Sequence, residues 1–227
     1  MDSYLLEYRF AGYPKTYLQE KYKKVHFGSL VGYRKHHFVP HITIAGPIKA
    51  LSEIRLIKRI EEIIYNYSNY IQEVGHLVKS GDYMFFTTLD GRNAIAIKIN
   101  PPKPLQEMKQ KLEKVTNRGL FNKCTTFNEE LWHSTLLLAR KDNSRDNEAI
   151  KRIWLRVKHE NPQQMQFILD RITLMKNKVI LKEFDLVNRV TLSREEALDE
   201  DKRYKSYLWI KNQLQNKGEN FRPSKNG

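Results

Sequence analysis

The chain repeats itself, and that repetition limits its fold more than its composition does. Tyr8 to Val25, YRFAGYPKTYLQEKYKKV, reads as a strand, a proline-lysine step and a helix. Ile97 to Val115, IKINPPKPLQEMKQKLEKV, reads the same way; both contain Leu-Gln-Glu and end in Lys-Val. Prolines near each helix start suit the first turn, where the missing N–H costs nothing. A second matched pair follows: IRLIKRIEEII (Ile54 to Ile64) and NEAIKRIWLRV (Asn147 to Val157) share Ile-Lys-Arg-Ile. Their apolar residues recur at three and four, as one helix face requires. Strand pairs come next. The stretch from Ile71 to Leu89 is expected to turn at Ser80-Gly81-Asp82, and the stretch from Gln166 to Leu186 near Lys176-Asn177-Lys178.

Between the matched helices lie two short apolar runs, each with a histidine and a threonine at spacing two. They are FVPHITIAGP (Phe38 to Pro47) and ELWHSTLLLAR (Glu130 to Arg140). His133 lies 92 residues after His41, and Ile150 lies 93 after Ile57, so the landmarks keep one frame. Each half then reads β-α-β-α-β-β. This predicts an α+β, bilobed chain whose halves meet about a pseudo-twofold axis, with a central cleft carrying both motifs. The predicted unit is one domain over residues 1–215, with pseudo-repeats near 3–90 and 93–190. Leu89 to Ala94 is only a turn, Ser193 to Gln215 has helical character, and the polar stretch 216–227 is expected to fray.

On a strand, residues two apart share a face. His41 and Thr43 therefore point one way while Ile42 and Ile44 point into the core. His133 and Thr135 do the same, with Leu136 behind them and Ser134 where the first motif has Ile42. Two such strands facing across a cleft surround one small volume with two imidazoles and two hydroxyls. A neutral imidazole takes a proton from an attacking hydroxyl, and a protonated one gives a proton to the leaving oxygen. The hydroxyls donate to non-bridging phosphate oxygens, where charge grows in the transition state. That chemistry needs no metal. Seven histidines and ten threonines placed at random give about 0.3 such triplets, so a pair in matched frames favours catalysis over coincidence.

The chain carries 40 Lys+Arg against 26 Asp+Glu, a net charge of +14, which suits a polyanionic partner such as RNA or a nucleotide. Arg34 and Lys35, with His36 and His37, form a basic stretch ahead of the first motif; they are candidate phosphate contacts. Phe38 and Trp132 flank the motif histidines and are candidate base-stacking residues. Arg140 follows the second motif strand at an odd offset from His133 and reaches the cleft only if the strand ends near Ala139. Tyr83 shares a strand face with Phe85, toward cleft or core. His76 reads as structural, and His26 and His159 as surface residues near helix ends. Cys124 is the only cysteine, so neither an intrachain disulfide nor a cysteine zinc cage is expected. No compact metal-ligand cluster of the H-E-x-x-H kind occurs, and no cofactor is expected. No run of about 18 apolar residues suggests a membrane span. The opening MDSYLLEYRF lacks the features of a signal peptide. A cytosolic monomer is the expectation.

HITI (His41 to Ile44) and HSTL (His133 to Leu136) resemble the paired motifs of the two-histidine (2H) phosphoesterase superfamily. The nearest branch is the 2'-5' RNA ligase and RNA 2',3'-cyclic phosphodiesterase group. Its pattern is histidine, hydrophobic residue, threonine or serine, hydrophobic residue, twice; Ser134 departs from it at one position that faces away from the cleft. Glu183 to Leu198 is also similar to the end of bacterial and archaeal ligase-like members. The resemblance implies two α+β lobes and opening of 2',3'-cyclic phosphates to 2'-phosphates, or reversible 2'-5' ligation. It makes His41 and His133 the acid–base pair and gives Thr43 and Thr135 the phosphate. Some members act instead on 2'-5' oligoadenylates or ADP-ribose cyclic phosphate. A non-catalytic RNA- or nucleotide-binding module that retains the pocket is the competing reading; a metal-dependent hydrolase is the third.

Overall fold

The structure is a computed structural model and describes residues 2–27, 39–74, 77–116, 121–123 and 132–216. The chain runs β1 (Ser3–Arg9), α1 (Gly12–His26), β2 (His41–Ala50), α2 (Glu53–Val74), β3 (Leu77–Thr87) and β4 (Asn93–Asn100). It continues α3 (Lys103–Thr116), β5 (Phe121–Lys123), β6 (His133–Leu138), α4 (Ser144–Val157), β7 (Gln166–Ile168), β8 (Arg171–Lys176) and β9 (Val179–Asp185). It closes with β10 (Val190–Leu192), α5 (Arg194–Ala197) and α6 (Glu200–Asn216). This is an α+β fold with two antiparallel sheets. One is ordered β10-β9-β8-β1-β2-β5 and the other β6-β4-β3-β7.

The duplication is visible in the hydrogen-bond register. Arg9 stands opposite His41 on the β1–β2 ladder, and Lys98 stands opposite His133 on the β4–β6 ladder. Beyond each pair the ladder is extended by one bond: Phe10 N–H to Pro40 O at 3.2 Å, and Ile99 N–H to Trp132 O at 2.9 Å. Two bonds at matching positions in two sheets are what a repeated unit produces.

The lobes are not the two halves of the sequence. Each half sends its later strands into the other half's sheet: β3 pairs with β4, and β8 pairs with β1. The first helices cross as well, with α1 packed on β6 and α3 on β2. The shared Leu-Gln-Glu aligns Leu18 with Leu105, and these two leucines are fully buried. Four residues on, Tyr22 matches Lys109; eight on, His26 matches Glu113. All four are buried. In α1 the pair is a ring contact, with Tyr22 and His26 centroids 4.2 Å apart. In α3 it is the Lys109–Glu113 ion pair. One frame thus tolerates two chemistries under a motif strand. The expectation that His26 sits on the surface fails because the last turn of α1 is laid against β6. His159 is exposed as expected.

The expected turn at Ser80-Gly81-Asp82 is instead an irregularity inside one long strand: the β3–β4 register shifts between Ser80 and Tyr83. A glycine inside a strand marks a bulge as readily as a turn. The second expected turn is present, with Asn177 and Lys178 at φ 48 and 70 between β8 and β9. The Thr88–Arg92 turn joins β3 to β4, closed by Thr88 N–H to Arg92 O at 2.8 Å. Helical character in the C-terminal region resolves into α5 and α6, α5 opening with a capping box between Ser193 and Glu196. Residues 217–227 lie outside the described part.

Candidate active site

β2 and β6 belong to different sheets yet pack against each other, with Cα atoms within 8 Å. β6 is an edge strand of the four-stranded sheet. On β2 the burial alternates as period-two patterning requires: Ile42 and Ile44 are fully buried, while His41 and Thr43 are partly exposed. On β6, Ser134 and Leu136 are buried, Thr135 is partly exposed and His133 is 8% exposed. The two histidines therefore differ in setting, the second being the more enclosed.

The His41 ring is fixed from behind. Its Nδ1 lies 2.9 Å from Val39 O. A carbonyl only accepts, so Nδ1 carries the hydrogen and Nε2 is the nitrogen left for chemistry. Glu7 Oε2 stands 3.9 Å from that Nε2. Arg9 Nε donates to the other oxygen of the same carboxylate at 2.6 Å. Register explains the trio: Arg9 lies opposite His41 and Glu7 opposite Thr43, on one face. That face continues as a polar row. Glu7 pairs with Thr173, and Thr173 with Glu183. There Thr173 donates to Glu183 at 3.0 Å, as does Arg171. From α6, Ser206 donates to Asp185 at 2.7 Å.

His133 has a different neighbour. The Phe86 ring lies 4.8 Å away at 62°, an edge contact. Opposite Thr135 is Ala96, where the first motif has Glu7. Trp132 is buried. Tyr83 also sits in the core, on the face of β3 opposite Phe86, with its hydroxyl buried and without a hydrogen-bond partner. Burial pushes that hydroxyl's pKa up. Arg140 forks onto Asp146, with Nε to Oδ2 at 2.7 Å and Nη2 to Oδ1 at 2.9 Å. Asp146 is in the first turn of α4, so this guanidinium anchors a helix start. Arg34, Lys35, His36, His37, Phe38, His76 and Cys124 lie outside the described residues.

Sequence reasoning missed Glu7, Arg9, Lys98 and Phe86. The signal for three of them was present: in a hairpin-like β-α-β unit, the residues opposite a motif are found by counting back along the preceding strand. Phe86 had no such signal, because its contact depends on how β3 joins a sheet built from the other half. Among the described residues, no group of three His, Cys, Asp or Glu side chains is arranged to hold a metal ion, and no helix is long and apolar enough to cross a membrane.

No family model matches the chain, and no curated protein matches it. Its structure is similar to that of Kluyveromyces marxianus Usb1 with uridine monophosphate, at a TM-score of 0.47 and 11% sequence identity, covering 85% of this chain and 97% of that one. A second structure of Kluyveromyces marxianus Usb1 gives the same TM-score and identity, with 84% and 97% covered.

Proposed function

We propose that this chain is a metal-independent phosphoesterase of the two-histidine kind, acting on RNA ends. It opens 2',3'-cyclic phosphates to 2'-phosphates, and/or reversibly joins a 5'-hydroxyl to the same phosphorus to make a 2'-5' linkage. In the opening, a water oxygen attacks phosphorus and the P–O3' bond breaks. One histidine takes the water proton and the other delivers a proton to O3'. Thr43 and Thr135 donate to the non-bridging oxygens as charge builds there. In ligation the attacking oxygen is the 5'-hydroxyl, and the same two proton transfers serve.

The observation that carries this reading is the packing of β2 against β6, each with a histidine and a threonine on one face. The imidazole tautomer at His41 supports it, because Nε2 is left open while Nδ1 is held by Val39. The charge of +14 suits a phosphate chain. The test is incubation of the purified protein, in EDTA, with RNA halves ending in a 2',3'-cyclic phosphate and a 5'-hydroxyl, followed by mapping of the ends and of any new linkage. The expected result is a 2'-phosphate, a 2'-5' junction, or both, lost in His41→Ala and His133→Ala. Binding without turnover at every pH overturns it in favour of a binding module.

A further inference from the structure

Lys98 stands directly opposite His133 on the β4–β6 ladder, so the two side chains share a face. It is exposed and has no ion-pair partner among the described residues. Its counterpart in the first half is Arg9, opposite His41, and that guanidinium is bonded to Glu7 at 2.6 Å. The duplicated frame thus sets one cation beside each histidine, and among the described residues only the second is without a carboxylate. On its other flank Lys98 meets Gly81, where a Cβ would lie 3.5 Å from Lys98 Cβ and 3.1 Å from Asn100 Nδ2. The absent side chain at Gly81 leaves the lysine stem uncrowded on that side.

The position of β4 decides what this ammonium meets. β6 is the edge strand beside β4 and the strand of that sheet that packs on β2, so Lys98 stands one strand spacing, about 4.8 Å, beyond His133 within the sheet. A phosphate held between the two motif strands is gripped by the histidines and threonines. An ammonium one strand further out meets the next phosphate along the chain. We propose that Lys98 binds the phosphodiester adjacent to the reacting phosphate, so that the site selects oligonucleotide ends with at least two phosphates over 2',3'-cyclic mononucleotides. This rests on the phosphoesterase reading above and adds a substrate length to it.

The experiment compares a 2',3'-cyclic mononucleotide with a cyclic-phosphate-ended trinucleotide in the wild type, Lys98→Gln and Lys98→Arg, with Lys151→Gln as a bulk-charge control. Lys98→Gln is expected to lower the trinucleotide-to-mononucleotide ratio of kcat/KM about tenfold, mainly through KM, as loss of one charged hydrogen bond would. Lys98→Arg keeps most of that ratio, and Lys151→Gln keeps all of it. In parallel, binding of a fluorescent oligoribonucleotide ending in a 3'-phosphate is followed against salt. The slope of log Kd on log salt should fall by about 0.7 in Lys98→Gln, the share of one contact on a single strand. Equal losses on both substrates, or an unchanged salt slope, overturn the proposal. If the wild type opens neither substrate, the phosphoesterase reading is what fails; the salt slope still decides Lys98, and an unchanged slope rejects it.

Discussion

His41 is held by a backbone carbonyl and faced by a carboxylate; His133 is enclosed and edged by Phe86. Paired imidazole chemistry needs one ring neutral and one charged, so turnover should show a bell-shaped pH profile for the free enzyme. A flat kcat/KM between pH 5 and 9 would remove the pair. His41→Ala and His133→Ala should each cost about 10²–10⁴-fold in rate, and Thr43→Ala about 10²-fold with the fold intact, read by cyclic-phosphate opening beside circular dichroism. His26 makes a stability prediction. Burial against β6 lowers its pKa to about 4 from 6.5. Above pH 6.5 the ring is neutral in both states and costs nothing. As pH falls from 6.5 toward 4, the unfolded chain binds a proton that the folded chain refuses, and stability is lost. Urea midpoints across that window should fall less steeply in His26→Leu than in the wild type; identical slopes would place the sensitivity elsewhere. The motif residues were legible because period-two alternation follows from strand geometry alone. Burial of His26 was not, because only the β6 contact distinguishes it from any other histidine at a helix end.

At the level of elements, the polar face of the larger sheet depends on Arg171. This residue is 2% exposed, donates to Glu183 at 3.0 Å and stands 3.5 Å from Asp185. Removing it leaves buried Asp185 without its cation and Glu183 with only the longer Arg203 contact at 3.7 Å. Arg171→Met should therefore cost about 3–5 kcal/mol in urea unfolding. A loss within about 0.5 kcal/mol, the range of ordinary surface changes, would show that the network is hydrated or relaxes. The helices were readable from their three-and-four spacing. The strand pairs were read half correctly: Asn177-Lys178 turns, while Gly81 sits in a bulge. Both stretches offer small or polar residues between apolar runs, and the sequence does not say whether the next strand pairs locally or with a distant one. For β3 the partner is β4, and the strand passes through its glycine.

For the whole molecule, the exchange of strands has a consequence. The four-stranded sheet draws β3 from the first half and the larger sheet draws β8 and β9 from the second, while α1 and α3 cross between them. Neither half holds a complete sheet or a covered motif strand. Fragments 1–91 and 92–216, expressed separately, should show no cooperative unfolding by circular dichroism, and should recover it when mixed. Independent two-state melting of either fragment would mean that its own strands suffice. The sequence by itself determined the duplication, the α+β class and the faces of both His-x-Thr strands, because these follow from local periodicity and a repeated frame. Only the tertiary structure decided which strands share a sheet, that Phe86 edges His133, and that the end of α1 is laid against β6. Those are contacts between residues far apart in the chain, set by how the two copies interleave to bury their apolar faces.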